Sequence, residues 1–207
     1  MSVAPAVRPA AGATSVAARR NRACAKLLAD VHAIEAREGP TPSALHAIKL
    51  RLVALAGKTE LFPLADFEMP TAGGRSHPLL VEEGDGYGLY LTINMPGKEA
   101  APHEHGVWCV NAALSGRELH EFFRRTDDGA KPGRAAVEKL GEVLLEPGAG
   151  MAMADRDIHS QRVVGAEPAV VLYLYGYAVA RFPTVVWYHP KFGSTRASPS
   201  RRQPAAV

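Results

Sequence analysis

The stretch "APHEHGVWCVNAALSG", residues 101–116, decides both how this chain folds and what it holds. In an extended strand alternate side chains share a face, so His103 and His105 point together, and Val107 and Cys109 continue that face. Two imidazoles at i and i+2 grip one metal ion from a strand much as a pair at i and i+4 does from a helix. A third ligand must then come from elsewhere. His159 is the best placed of the other histidines, in "PGAGMAMADRDIHSQRVV", where a Pro-Gly turn precedes it and a strand follows. Taken alone, the His-x-His pair is a weak signal and reads sooner as two surface histidines, with His159 capping a turn. The glycines around the first segment, the second segment and the β character of both favour the metal.

Working outward, residues from about 60 to 190 form short apolar runs separated by Gly, Pro and Asp. "LLVEE" and "YGLYLTINM" flank "GDG", a hairpin signal. "RELHEFFRR", "EVLLEP", "GMAMA", "SQRVV", "AVVLYLYGYAV" and "TVVWY" continue the pattern. Roughly seven to nine strands at this spacing, with no helical pattern between them, predict a sandwich or barrel. Upstream the period changes. Cys24, Leu27, Leu28, Val31 and Ile34 recur at helical spacing over about 16–36, and "GPTP" at 39–42 breaks and restarts the chain. Thr41 is a cap for a second helix with Pro42 at its first position and Leu45, Ile48, Leu52 and Leu55 as its buried stripe. The expected organisation is a disordered tail over 1–15, a helical segment over 16–57, a barrel over 58–190 and a flexible tail over 191–207.

Composition narrows the function classes. With 207 residues, 47% hydrophobic and 22% charged, the chain has apolar material for one real core. The net charge of +3 sits largely in "RRNR" at 19–22 and "RRQ" at 201–203, which argues against a nucleic-acid partner. Two cysteines make no disulfide framework and suit the reducing cytoplasm. No apolar run reaches the roughly eighteen residues of a membrane span. The Ala- and Arg-rich start lacks the apolar block of a secretory signal. Monomer and homo-oligomer both remain open.

The two histidine segments resemble a known family. Gly97, five residues, His103-x-His105, three residues, Cys109, six residues and Gly116 are similar to the first motif of the cupin superfamily, which carries a glutamate where Cys109 stands. Gly141, five residues, Pro147 and then His159 resemble the second motif, with a longer loop before the histidine. The resemblance covers roughly residues 60–190. It implies a mainly β, double-stranded β-helix (jelly-roll) barrel, preceded here by two helices, with a metal held by His103, His105 and His159. "PHEHGVW", "DIHSQRVVG" and "LYLYG" look like the thiol dioxygenase branch, the cysteine and 3-mercaptopropionate dioxygenases.

That branch implies one Fe(II) per chain, a small thiol substrate and O2, with the thiol oxidised to a sulfinate. Three neutral imidazoles leave a divalent iron its full charge and open positions for a thiolate and dioxygen. In cysteine dioxygenases a cysteine near position 109 forms a thioether with a tyrosine that Tyr175 matches, so a Cys109–Tyr175 link is one implication. The other reading of Cys109 is a small buried residue filling the barrel. Where the family has Ser-x-His-x-Tyr, this chain reads Val171, Tyr173 and Tyr175. Tyr173 either offers its hydroxyl to a ligand or simply packs. The family anchors its substrate's carboxylate with an arginine, and four positions here answer to that role: Arg75 and His77 upstream, Arg162 after His159, and Arg181 after Tyr175. His120, on the strand after Gly116, either faces the barrel or lies at the surface, and the surface is the expectation. The alternative function is a metal-binding cupin without oxygenase chemistry, either a small-ligand or sensor domain or an isomerase-like enzyme.

Overall fold

The computed structural model describes residues 15–84, 86–182 and 184–198. Helix α1 (Val16–Glu38) starts where the Ser15 hydroxyl accepts the Ala18 amide, and α2 (Pro42–Ala56) where Thr41 accepts that of Ala44. Each cap satisfies a backbone donor that a helix start leaves without a partner. The stripes read from the sequence are buried on both helices: Cys24, Leu27, Leu28, Val31 and Ile34 on α1, and Leu45, Ile48, Leu52 and Leu55 on α2. Each fully buried aliphatic side chain contributes about 1.5–3 kcal/mol, so these two faces dock the helices firmly.

Eleven strands follow among the described residues. They are β1 (Gly74–Val81), β2 (Gly88–Asn94), β3 (Glu99–Glu104), β4 (Cys109–Ser115), β5 (Glu118–Arg125), β6 (Val137–Leu145), β7 (Gly150–Met153), β8 (Ile158–Val163), β9 (Ala169–Tyr175), β10 (Val185–His189) and β11 (Ser194–Ser198). One sheet has the order β1-β2-β9-β4-β7 and the other β11-β10-β3-β8-β5-β6. From β2 to β9 the chain distributes its strands between the sheets as a jelly roll does, two Greek keys interleaved. This is the mainly β barrel with two N-terminal helices that the resemblance implied.

The helices brace one wall of this barrel. Leu89, Leu91, Val110, Ala112, Leu172 and Leu174 turn outward from the first sheet and share a core with α1 and α2. Alternate residues of the same strands, among them Tyr90, Cys109, Val171, Tyr173 and Tyr175, turn inward to a second core. Both faces of the sheet are therefore buried. That is why β9 reads "AVVLYLY", without the polar alternation of a half-exposed strand.

Two expectations need correction. His103 and Cys109 do not lie on one strand: β3 ends at Glu104 in one sheet and β4 begins at Cys109 in the other. The crossing turns at Gly106, whose φ of 68° is a left-handed conformation that a side chain disfavours. The sheet also continues beyond residue 190, since β11 pairs antiparallel with β10. The expected tails are otherwise residues 1–14 and 199–207, which lie outside the described residues. No helix among the described residues is long and apolar enough to cross a membrane.

Candidate metal centre

Strands β3 and β8 are neighbours, and their register sets His103 directly opposite His159. A register shift between Ala100 and His103 turns His103 inward, and His105 follows just past the strand end. The three histidines offer ligand atoms that all lie within 4.8 Å of one another. Their ring centroids are 4.4 Å (His103–His159), 4.7 Å (His103–His105) and 5.2 Å (His105–His159) apart. Such a cluster of nitrogen donors suits a divalent transition metal.

Two further observations test the fit. His103 Nδ1 lies 2.8 Å from the Ala101 carbonyl oxygen. With that nitrogen protonated and donating, the Nε2 lone pair is free to ligate, the usual support for a metal-binding imidazole. Nδ1 of His105 is buried without a hydrogen-bond partner, a costly arrangement in an apolar interior, whereas the His159 ring is set against the Asp157 backbone. Together the three rings could hold a metal ion. Burial also holds the rings neutral and ready to bind: it lowers His103 to about 4 and His105 to about 3, and it takes His159 well below the usual range.

The strands opposite supply the rest. Cys109 and Tyr175 are register partners on β4 and β9, their side chains hydrogen-bond to each other, and Tyr175 packs 5.6 Å from the His105 ring. Burial pushes both Cys109 and Tyr175 well above their ordinary pKa values, so thiol and phenol stay protonated. The Cys109 thiol also donates to Asn111 Oδ1 at 2.9 Å. Trp187, from β10, stacks on His103 at 4.6 Å, and Phe182 packs 5.6 Å from His105. Above the histidines opens a cavity of about 250 Å³, which Ser76, Asn94, Lys98, Gln161, Tyr173 and Tyr175 help to line. A larger depression of about 560 Å³ lies against Glu35, Tyr87 and Trp108 and contains none of the three histidines.

The residues expected to anchor a substrate are placed elsewhere. Arg75 is exposed and paired with Glu68, and His77 lies against the Glu68 carbonyl and Phe67. Between them Ser76 faces the cavity, because successive strand residues alternate in direction. Arg162 is exposed on the outside of β8, while its neighbour Gln161 turns inward. Arg181 ends a short 3-10 turn, Val179–Arg181, and its side chain lies outside the described set. Lys98 is the cationic side chain that lines the cavity among the described residues.

His120 overturns the surface expectation. It is completely buried and stacks on His159 at 5.9 Å, with Nε2 3.2 Å from Glu118. Glu118 in turn accepts from Asn94 at 2.6 Å and from the Tyr173 hydroxyl at 3.1 Å. The one sequence signal for these residues was "GRELHEFF", in which polar Glu118 and His120 alternate with apolar Leu119.

No protein-family model and no curated protein matches this sequence. Among solved structures the chain is similar to oxalate oxidase in complex with the substrate analogue glycolate, at 16% identity and a TM-score of 0.41, over 57% of this chain and 56% of that one. It is similar to a cupin superfamily protein from Desulfitobacterium hafniense at 19% identity and a TM-score of 0.39, over 55% of this chain and 86% of that one. Hydroquinone 1,2-dioxygenase, in complex with cadmium and 4-hydroxybenzonitrile, gives 13% identity and a TM-score of 0.39, over 54% and 68%. The first of these matches spans little more than half of the oxalate oxidase chain. At such scores the likenesses bring no residue role or reaction with them.

Proposed function

We propose that this protein is a cytoplasmic non-haem iron(II) dioxygenase that oxidises a small thiol, of the cysteine or 3-mercaptopropionate type, to its sulfinate. The observation that carries this reading is a cluster of three imidazoles, two of which, His103 and His105, line a small cavity, with the Cys109–Tyr175 pair facing them. His103, His105 and His159 would hold one iron per chain. Bound there, Fe(II) supplies positive charge and open coordination positions where a thiolate and dioxygen meet. Both atoms of O2 end on the sulfur, so the thiolate RS⁻ becomes RSO2⁻.

The chain's own residues do the rest. The protonated Tyr175 hydroxyl presents a donor beside His105, and Trp187 and Phe182 screen the floor from water. Lys98 attracts a substrate carboxylate in the place of an arginine. Cys109 Sγ joins a ring carbon of Tyr175 in a thioether: the S–H bond and one ring C–H bond break, and O2 takes up the two hydrogens and two electrons as H2O2; this preorganises the phenol. Until that link forms Cys109 is, like Cys24, a buried free thiol, and both suit a reducing compartment.

A metal-binding barrel without oxygenase chemistry is the second reading. It is favoured by the absence of an arginine from the cavity lining among the described side chains, and by Val171 standing where the family has its serine. Oxygen uptake by anaerobically iron-loaded protein separates the two, measured with cysteine, 3-mercaptopropionate, cysteamine and mercaptosuccinate. Uptake matched by sulfinate and abolished in His159→Ala is the expected result. No uptake with any thiol, despite one iron bound per chain, makes the second reading the answer.

A further inference from the structure

Three neutral imidazoles leave a divalent cation's charge unbalanced inside a barrel, and a buried uncompensated charge is costly. The position that resembles a cupin's glutamate ligand holds Cys109, a protonated thiol that adds no charge. The barrel nevertheless contains a carboxylate. Glu118, 1% exposed, is the one acidic residue among the described residues that is fully buried. Carboxylates are almost never buried to this degree without a partner of opposite charge. No lysine or arginine pairs with it among the described residues. Its contacts are the Asn94 amide, the Tyr173 hydroxyl and His120.

Two of those three contacts lead to the metal centre. His120 lies between Glu118 and His159, against whose ring it stacks at an interplanar angle of 26°. The Tyr173 hydroxyl touches Glu118 on one side and lies 3.2 Å from the Gln161 side-chain amide on the other, at the cavity. The register explains the placement. His120 faces Gln161 and Phe122 faces His159 across β5 and β8, so the inward face of β5 runs directly behind the ligand strand.

We propose that Glu118 is the counter-charge of the metal centre, a positioning residue that supplies, one side-chain layer behind His159, the carboxylate that position 109 lacks. The proposal rests on the reading of His103, His105 and His159 as a metal site. Glu118 stabilises a bound dication through His120 and Tyr173 without occupying a coordination position. It favours the more highly charged state of a redox metal still more. In the metal-free protein the same carboxylate has only His120, 3.2 Å away, as a partner able to carry opposite charge.

The test compares the full-length protein with Glu118→Gln, which keeps the shape and removes the charge; the Tyr173 hydroxyl and His120 can each turn to suit an amide. Co2+ affinity is measured by calorimetry, the Fe(III)/Fe(II) potential by anaerobic titration, and the unfolding temperature in the metal-free state. The expected result is a loss of about 10- to 100-fold in Co2+ affinity. The potential moves to a more positive value, and the metal-free unfolding temperature does not fall. Affinity and potential unchanged in a folded Glu118→Gln protein overturn the proposal and leave Glu118 a purely structural group. Should that variant fail to fold, Glu118→Asp decides. The retained charge keeps Co2+ affinity near that of the parent, and a loss of about tenfold or more overturns the charge argument. Failure of the parent protein to bind one Co2+ is a different result. It overturns the metal site itself, and the counter-charge with it.

Discussion

His103, buried beneath Trp187, has its pKa lowered to about 4 and His105 to about 3, both by loss of solvent. In the unfolded chain these rings take up protons near pH 6.5, whereas the folded protein resists them until the pH is far lower. Stability of the metal-free protein is therefore intact above pH 6.5 and falls as the pH drops from 6.5 towards 4. At about 1.4 kcal/mol per pH unit, each such histidine withdraws about 2 kcal/mol by pH 5. Urea unfolding of metal-free protein at pH 7.5 and pH 5 measures this, and His103→Gln is expected to show a shallower loss. A second residue-level expectation concerns Lys98. A charged hydrogen bond contributes about 1.5–3 kcal/mol, so Lys98→Ala is expected to weaken binding of 3-mercaptopropionate by about tenfold or more. Cysteamine, which has no carboxylate, is expected to bind equally well to both proteins; equal weakening of both ligands excludes Lys98 as the anchor. The cluster of three histidines was legible because the His-x-His spacing sets two rings together at the end of β3 and the turn-then-strand pattern around residue 159 supplies the third. Arg75 and His77 were not excluded, because moving one residue along a strand exchanges its faces, and only the register shows that Ser76 faces in. Glu118 and His120 stayed hidden because β5 inverts the usual pattern, with polar groups inside and Leu119 outside.

At the scale of elements, both helices were legible almost to the residue, since capping and a 3.6-residue period act locally. The path from β3 to β4 was not. The histidine pair and Cys109 satisfy a two-residue alternation, yet the chain changes sheets between them, and the turn at Gly106 makes that possible. Strand β11 escaped because "STRAS" is polar, and its order comes from pairing with β10 rather than from burial of its own side chains. Gly116 is the element-level position with the least freedom. Its φ is +67°, and a Cβ there would lie 2.2 Å from the Pro168 carbonyl oxygen, where β4 turns into β5 beside the start of β9. Left-handed strain and this collision together predict that Gly116→Ala costs about 2–4 kcal/mol. Chemical denaturation checks the figure. A variant within about 0.5 kcal/mol of the parent would mean that the turn relaxes freely.

At the scale of the whole molecule, two cores share one sheet. The outer face of β2, β4 and β9 packs on the helices, and the inner face closes over the histidines, which come from the opposite sheet. A bound metal therefore ties β3 to β8 within the second sheet, whereas the helices secure only the first. The two should separate under mutation, because residues with no shared partner contribute additively. Metal at about 100 times its dissociation constant adds about 2.7 kcal/mol to the stability of the folded state. For a domain of this size that raises the unfolding temperature by about 5–10 °C. His159→Ala is expected to abolish that rise, and chelation of the parent protein to reverse it. Ile48→Ala, in the completely buried stripe of α2, is expected to cost about 2–5 kcal/mol while leaving the metal-induced rise intact. Differential scanning calorimetry of the three proteins, with and without Co2+, decides the matter. If Ile48→Ala also erased the rise, the two cores would form a single cooperative unit, and the helices would belong to the metal centre as much as the strands do.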